Sequence, residues 1–359
     1  MTKASVLNRE FYRGKRVLVT GHAGFKGAWM TLVLNTLGAK TCGFALEPEA
    51  GSLYTKLGTD SLLSFVKGDV GDRDALVKTV QDFQPEIILH LAAVVTVQGC
   101  YENPHRAFWT NVMGTVNILE AAVLCGSVKS VVVVTTDKVY ENKGDHAVYK
   151  VGDPLSGVDP LAASKSGAEL AIEAYKNCYL HKPERTVGVA AVRTSNVIAG
   201  GDHVETRLVP SILRGFASGK PVQLRNPEQT RPWQSVLDAL NGYLTIGRKL
   251  YEDPVCFSRP WNIGPTKDGI KSVGLIYEKL RQNFNSNEPY QLMQSSEIKE
   301  SQTLGLDIEE SQKLLSWEPE QSLDKILFEL TDYFKRQQNG ENEQNICTEQ
   351  IEEFFGVRG

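Results

Sequence analysis

The run Arg16-Val17-Leu18-Val19-Thr20 leads directly into Gly21-His22-Ala23-Gly24-Phe25-Lys26-Gly27, and this succession constrains the fold more than any other feature of the chain. A short apolar segment ends in a glycine cluster. From Gly27 to Gly38, Trp29, Met30, Val33, Leu34 and Leu37 then fall at helical spacing. Strand, tight turn and helix follow one another. Glycines suit such a turn because the chain must reverse sharply, let a pyrophosphate approach the backbone, and pack the helix close to the sheet. The helix N-terminus then faces the phosphates.

The same alternation continues downstream. Strands are predicted over Thr41–Leu46, Leu63–Val66, Ile87–Ala92, Ser130–Thr135 and Val187–Arg193, and helices over Asp72–Phe83, Asn111–Cys125 and Ala162–Tyr175. Such a rhythm calls for an α/β fold with a doubly wound parallel sheet, and 359 residues leave room for a smaller C-terminal lobe. No internal repeat is present, and Arg336–Glu343 (RQQNGENE) reads as an exposed link before a short C-terminal helix.

Composition narrows the function classes. A formal charge of −4 gives no global pull toward nucleic acid or acidic membranes, so a small soluble ligand fits better. Cys42, Cys100, Cys125, Cys178, Cys256 and Cys347 form no CxxC pair and no zinc spacing; they read as buried reduced thiols, and no metal site is expected. No apolar run approaches the roughly 18 residues that span a bilayer, and the first residues lack a signal-peptide core. The cytoplasm is the expected location.

Glu47 lies near the end of the second strand, where a carboxylate could hold ribose hydroxyls of NAD; an exposed loop glutamate is the alternative. Asp69, after the third strand, could accept from an adenine amino group or cap a turn.

Wider stretches carry a family likeness. TGHAGFKG, HLAA at 90–93, TNVMGTVNILEA at 110–121, TTDKVYEN at 135–142, SNVIAGGD at 195–202, RLVP at 207–210, RNPEQTRPWQSVLDALNGYL at 225–244, WNIGP at 261–265 and LSWEP at 315–319 span nearly the whole chain. Together they resemble the extended short-chain dehydrogenases/reductases, and within them the CDP-D-glucose 4,6-dehydratase branch. The resemblance implies a Rossmann domain over 1–195 and about 232–264, and a nucleotide-sugar-binding lobe over about 196–231 and 265–359. It implies a homodimer, a nucleotide diphosphate sugar as substrate, and NAD held by Gly21, Gly24, Phe25, Lys26, Gly27, Glu47, Asp69, Val70, Leu91, Ala92, Ala93, Asn111, Thr135 and Lys165. It also implies removal of water between C5 and C6 of the sugar, with transient oxidation at C4.

That chemistry needs three placed proton-transfer groups. The likeness makes Thr136 the hydrogen-bond donor to the 4-oxygen, Asp137 the acid for the C6 hydroxyl and Lys138 the base at C5. Lys165 matches the family lysine that holds the nicotinamide ribose and lowers the pKa of a tyrosine one turn earlier. Here that position is Leu161, which can neither accept nor donate a proton. Tyr140 and Tyr149 lie nearby in sequence. Asn196, Arg207, Leu208, Arg225, Asn226, Arg231 and Gln234 match the family's substrate side, where arginines suit a diphosphate through bidentate bonds. Val94, Val95, Gln98, His203, Thr206, Ser211 and Ser235 depart from it, and these changes are expected around the substrate pocket. His203 and His22 read as pocket or loop residues with no carboxylate partner visible in sequence.

Three readings stay open: a dehydratase working without the tyrosine, a redox epimerase or decarboxylase of another nucleotide sugar, and a non-catalytic NAD or nucleotide-sugar binder.

Overall fold

Seven strands assemble in a computed structural model that describes residues 3–142, 148–204, 207–293 and 305–357. They are β1 (Arg16–Thr20), β2 (Lys40–Ala45), β3 (Ser64–Lys67), β4 (Ile87–His90), β5 (Ser130–Val134), β6 (Gly188–Thr194) and β7 (Trp261–Ile263). Every pairing is parallel, and the order across the sheet is β7-β6-β5-β4-β1-β2-β3. β1, β4, β5 and β6 are buried almost throughout, which is why they read as continuous apolar runs rather than alternating ones. The order reverses at β1, between β2 and β4, and it is there that the glycine-rich turn emerges.

Helices Phe25–Thr36 and Val236–Glu252 cover one face of the sheet with a core that includes Trp29, Val33, Leu240 and Tyr243. Arg73–Phe83 and Gly114–Leu124 cover the other, meeting Leu18, Ile88 and Val131. Asp72 caps Arg73–Phe83 by accepting from the Ala75 amide, so the predicted Asp72–Phe83 helix starts one residue later and ends where expected. The helix predicted from Asn111 begins earlier. Pro104–Phe108, a π turn at Trp109–Met113 and Gly114–Leu124 form one continuous helical stretch. This stretch, Pro104–Leu124, is long and apolar enough to cross a membrane by length and composition, a property that sequence runs alone do not display; 56% of its apolar 18-residue window is buried within the protein.

A second group of elements contains the sheet Asn196–Ile198, Thr230–Ser235 and Ile270–Ser272, the parallel pair Val222–Leu224 and Tyr290–Leu292, and helices Leu208–Ser218, Val273–Phe284 and Leu323–Gln338. Its core includes Ile212, Leu224, Trp233, Ile276 and Leu327. Helix Leu323–Gln338 absorbs the first residues of the predicted Arg336–Glu343 link. The following helix, Glu343–Phe355, inserts Ile346, Cys347, Ile351 and Phe355 into the core beside the Phe25–Thr36 helix, so the C-terminus packs back on the Rossmann half. Two of the six cysteines, Cys178 and Cys256, are exposed rather than buried, because neither sits on a core-facing position of its helix.

Candidate active site

The strands' C-terminal ends collect the groups of interest. Gly21 follows β1 with φ 71°, a left-handed conformation, and a Cβ there would lie 2.7 Å from Ala92 Cα. Gly27 is more constrained: a Cβ would come within 2.1 Å of the Gly21 carbonyl oxygen and 2.6 Å of His22 Cα. Backbone cannot yield as a side chain can. The turn is therefore closed by glycine at both ends, and the helix starts at Gly24 without a side-chain cap, leaving its first amides to an anion. His22 turns beneath the loop, edge-on to Tyr54 and Phe65, against Gly43 of β2. Burial pushes it down to about 4, so it packs as a neutral ring.

After β4, the Leu91 amide donates to the Thr20 carbonyl and the Ala92 amide to Thr20 Oγ1. Asn111, in the π turn, accepts from the Val94 amide at 2.9 Å and donates to the Val94 carbonyl and to Ser164 Oγ. A π turn here re-aims a polar side chain that a regular helix would place elsewhere. Asn111 thus ties the HLAA loop to helix Pro160–Tyr175, whose N-cap is Asp159.

That helix carries Leu161 and Lys165 on one face. Leu161 is buried in a small apolar cluster with Cys100, Ala107, Val94 and Val97. Lys165 is buried, and its Nζ donates to the Val134 carbonyl at 2.8 Å. Burial, with a smaller contribution from Lys26, pushes the Lys165 ammonium down to about 7. Lys26 itself is held down to about 8 by burial and by Arg207, with Asp137 opposing; its Nζ donates to Tyr243 Oη at 3.3 Å. His90, at the end of β4, stays neutral, pushed to about 3 by burial and by Lys165.

The turn after β5 presents Thr136, Asp137 and Lys138. Thr136 Oγ1 donates to Asp137 Oδ1 at 3.0 Å, and Lys138 Nζ lies 3.5 Å from the same oxygen. Asp137 is buried while Lys138 is partly exposed. Thr135 instead faces inward and donates to Glu169, the partner of Arg193 in a buried ion pair at 2.6 Å. Tyr140 accepts from Arg193, donates to Asn262 and stacks on Tyr149; both rings are buried.

Glu47 is exposed and paired with Lys67 at 2.7 Å. Asp69 accepts from the Gly71 amide and from Arg106, closing a turn beside the buried Val70. Arg207 is paired with Asp202 at 2.9 Å, just before Leu208 opens its helix. Gln234 is buried and accepts from Ser195, while its Nε2 has no partner. Arg231 pairs in register with Lys271 on the small sheet, Arg225 and Asn226 are exposed, and Asn196 is half-buried.

The departures do not all line a pocket. Ser235 is buried as the N-cap of Val236–Glu252 and donates to Gln321, Ser211 back-bonds to Leu208, Gln98 donates to Glu102, and Val95 is exposed. His203 does have a carboxylate partner, Glu49 at 3.2 Å, brought from another loop by the fold. Thr206 lies outside the described residues. Among the described residues no cluster could hold a metal ion.

Residues 17–264 match the NAD dependent epimerase/dehydratase family. The chain belongs to that family. It is 37% identical over 341 residues to the CDP-glucose 4,6-dehydratase of Salmonella typhimurium, covering 94% of this chain and 95% of the relative. In fold it is similar to the dTDP-glucose 4,6-dehydratase of Bacillus anthracis, solved with NAD (TM-score 0.77, 22% identity, 91% of this chain and 98% of that one). An epimerase of Methanothermobacter thermautotrophicus superposes at TM-score 0.81, with 23% identity and 96% and 98% coverage. NAD is this family's cofactor, and the two sterically closed glycines with the uncapped helix start fit its pyrophosphate. Calorimetric titration is expected to show tighter binding of NAD than of NADP, since no arginine follows β2 to take a 2′-phosphate. Tighter NADP binding would mean that Lys67, not Glu47, meets the ribose.

Proposed function

We propose that this chain is a nucleotide-sugar 4,6-dehydratase of the CDP-glucose class, slowed by Leu161. The observation that carries the reading is the Asp137–Lys138 pair on the turn after β5, 3.5 Å apart and beside Thr136. An ammonium and a carboxylate at this distance interconvert with a neutral amine and a carboxylic acid by one proton shift, with no change in net charge. In the neutral form Lys138 takes the C5 proton of a 4-keto sugar while Asp137 protonates the departing C6 hydroxyl. The elimination returns the pair to its ionic form. Thr136 donates to the 4-oxygen. A plain epimerase has no use for an acid at C6.

NAD, when bound, supplies the hydride acceptor at C4 and the donor to C6. The glycine turn (Gly21, Gly24, Phe25, Lys26, Gly27), Glu47, Asp69, Val70, the Leu91-Ala92-Ala93 loop, Asn111, Thr135 and Lys165 hold it in this reading. Residues 1–195 and about 232–264 form its domain, and about 196–231 with 265–359 form the sugar-nucleotide lobe, whose last helix, Glu343–Phe355, returns to the Rossmann core. Asn196, Arg207, Leu208, Arg225, Asn226, Arg231 and Gln234 receive the nucleotide diphosphate. Arg231→Ala is expected to weaken a nucleoside diphosphate about tenfold or more by calorimetry, because a charge-assisted hydrogen bond is worth ~1.5–3 kcal/mol. Unchanged affinity would place Arg231 outside the pocket.

A homodimer completes the reading. Phe108, Trp109, Met113 and Leu124 are exposed along one helix and Leu170 on its neighbour, which supports a helical interface between copies. The cytoplasm, where six unpaired cysteines stay reduced, is the proposed location.

The test incubates the protein with CDP-glucose and NAD and follows the sugar nucleotide by mass spectrometry. A product lighter by one water supports the reading. A stereoisomer of unchanged mass would make the protein an epimerase, and unaltered CDP-glucose with both the native and the Leu161→Tyr protein would overturn the assignment.

A further inference from the structure

The turn that carries Thr136, Asp137 and Lys138 is poorly held by its own backbone. It is a short 3₁₀ piece, Asp137–Val139, whose bonds are long: the Val139 amide reaches the Thr136 carbonyl at 3.4 Å and the Tyr140 amide the Asp137 carbonyl at 3.3 Å. The contacts of Asp137 with Thr136 and Lys138 stay within the turn. Groups that must meet two substrate atoms need a firmer seat.

Both ends of the turn are tied to one buried centre. On the N-terminal side, Thr135 Oγ1 donates to Glu169 Oε1 at 2.8 Å. On the C-terminal side, Tyr140 Oη accepts from Arg193 Nη1 at 2.8 Å and donates to Asn262 Oδ1 at 2.7 Å. Arg193 closes the circuit, with Nε 3.0 Å from Glu169 Oε1 and Nη2 2.6 Å from Oε2, a two-pronged bond. Asn262 pairs in register with Arg193 across β7 and β6, and its Nδ2 donates to the Tyr149 and Asp307 carbonyls at 3.0 Å each. The amide oxygen is thereby left facing Tyr140. Thr135, Tyr140, Glu169, Arg193 and Asn262 are all at most 6% exposed.

Stability alone does not account for such a centre. An ion pair held this deep gains little over apolar residues of the same volume. What it supplies, and apolar packing does not, is direction, because a guanidinium presents its donors in a rigid planar fork. One side of the Arg193 fork meets the carboxylate behind Thr135. The other meets the phenol of Tyr140, so a single side chain sets both ends of the segment that holds Asp137 and Lys138.

We propose that Glu169, Arg193 and Tyr140 are positioning residues for the dehydration step, a clamp that fixes the turn so that Lys138 and Asp137 meet C5 and the C6 hydroxyl together. The inference rests on the dehydratase reading for its substrate. In that step Lys138 takes the C5 proton as the C5–C6 double bond forms and the C6–O bond breaks, and Asp137 gives its proton to the leaving hydroxyl. Both transfers need hydrogen-bond reach, so one displacement of the turn spoils both.

The test uses two variants of the NAD-loaded protein. Tyr140→Phe removes one hydroxyl and keeps the ring on Tyr149, whereas Arg193→Met/Glu169→Leu removes both ties and leaves an apolar interior. Hydrogen exchange read by mass spectrometry compares the turn, residues 135–141, with β5. Exchange in the turn is expected to speed up about tenfold in Tyr140→Phe and further in the double variant, while β5 stays protected. With CDP-glucose, kcat should fall about 10- to 100-fold in both at unchanged KM, even though the double variant regains most of the stability lost in Arg193→Met. A network with a structural role alone would move melting temperature and turnover together. Unchanged exchange of the turn in both variants, or faster exchange with native kcat, overturns the proposal. Absence of CDP-glucose turnover by both the native and the Leu161→Tyr protein would strike the dehydratase reading, and the exchange ratio would still decide whether the clamp holds the turn, so the two fail separately.

Discussion

Leu161→Tyr is expected to raise turnover of CDP-glucose by ~10²–10⁴-fold, the contribution that a placed general base typically makes. The substitution puts a phenol one turn before Lys165, on the helix that meets the turn Asp137–Val139 and, through Lys165, the end of β5. The ring also enters the cluster of Val94, Val97, Cys100 and Ala107, where Leu161 is buried. Added volume in a packed cluster costs about 1–3 kcal/mol, so the variant should melt at a lower temperature while turning over faster. Initial rates from the alkaline absorbance of a 4-keto-6-deoxy product, with mass loss of one water as confirmation, measure the gain. No gain in a folded, NAD-binding variant would mean that Val94 and the pairing of His203 with Glu49 have redirected the pocket to another ligand. Fast turnover by the unmodified protein would show that Leu161 does not disable it and would place the burden on Lys165.

The second large effect is on stability. Arg193→Met should destabilise the protein by about 3–5 kcal/mol, because it strips the partner from a carboxylate in the interior. Arg193 Nη2 lies 2.6 Å from Glu169 Oε2, both side chains are nearly inaccessible, and Nη1 also donates to Tyr140 and to the Val151 carbonyl. Glu169 keeps a hydrogen bond from Thr135, which cannot neutralise it. The double variant Arg193→Met/Glu169→Leu should recover much of the loss, since apolar groups of similar volume often replace a buried pair at little cost. Denaturant melts of both variants give the comparison. Equal stability of the single and double variants would show that the penalty comes from the lost Tyr140 and Val151 contacts instead.

Much of the architecture is carried by local pattern. Apolar runs of five or six residues separated by helical periodicity specify parallel strands buried on both faces, and five predicted strands lie within one or two residues of those observed. The glycine turn was legible because a sharp strand-to-helix reversal needs glycine, as the positive φ of Gly21 and the close approach at Gly27 confirm. Asp72 and Asp159 cap their helices where short polar side chains precede apolar periodicity. The π turn at Trp109–Met113 was not legible, because no residue type marks a single inserted residue within an otherwise helical run.

Local pattern carried the strand–helix alternation and the phosphate turn, since each depends on residues close together in the chain, whereas the Thr136-Asp137-Lys138 turn and the missing proton acceptor at Leu161 were legible through the family likeness. Where the long side chains go depends on the packed fold. Glu47 turns outward to Lys67, Asp69 closes on Arg106, His203 reaches Glu49, and Lys26 turns inward to Tyr243. It also decided that Glu343–Phe355 packs back on the Phe25–Thr36 helix and that Glu169 and Arg193 meet in the interior. The reason is physical: backbone propensity and apolar period act over a few residues, whereas the partner of a flexible charged side chain is set by whatever distant segment the packed core brings within about 3 Å of it.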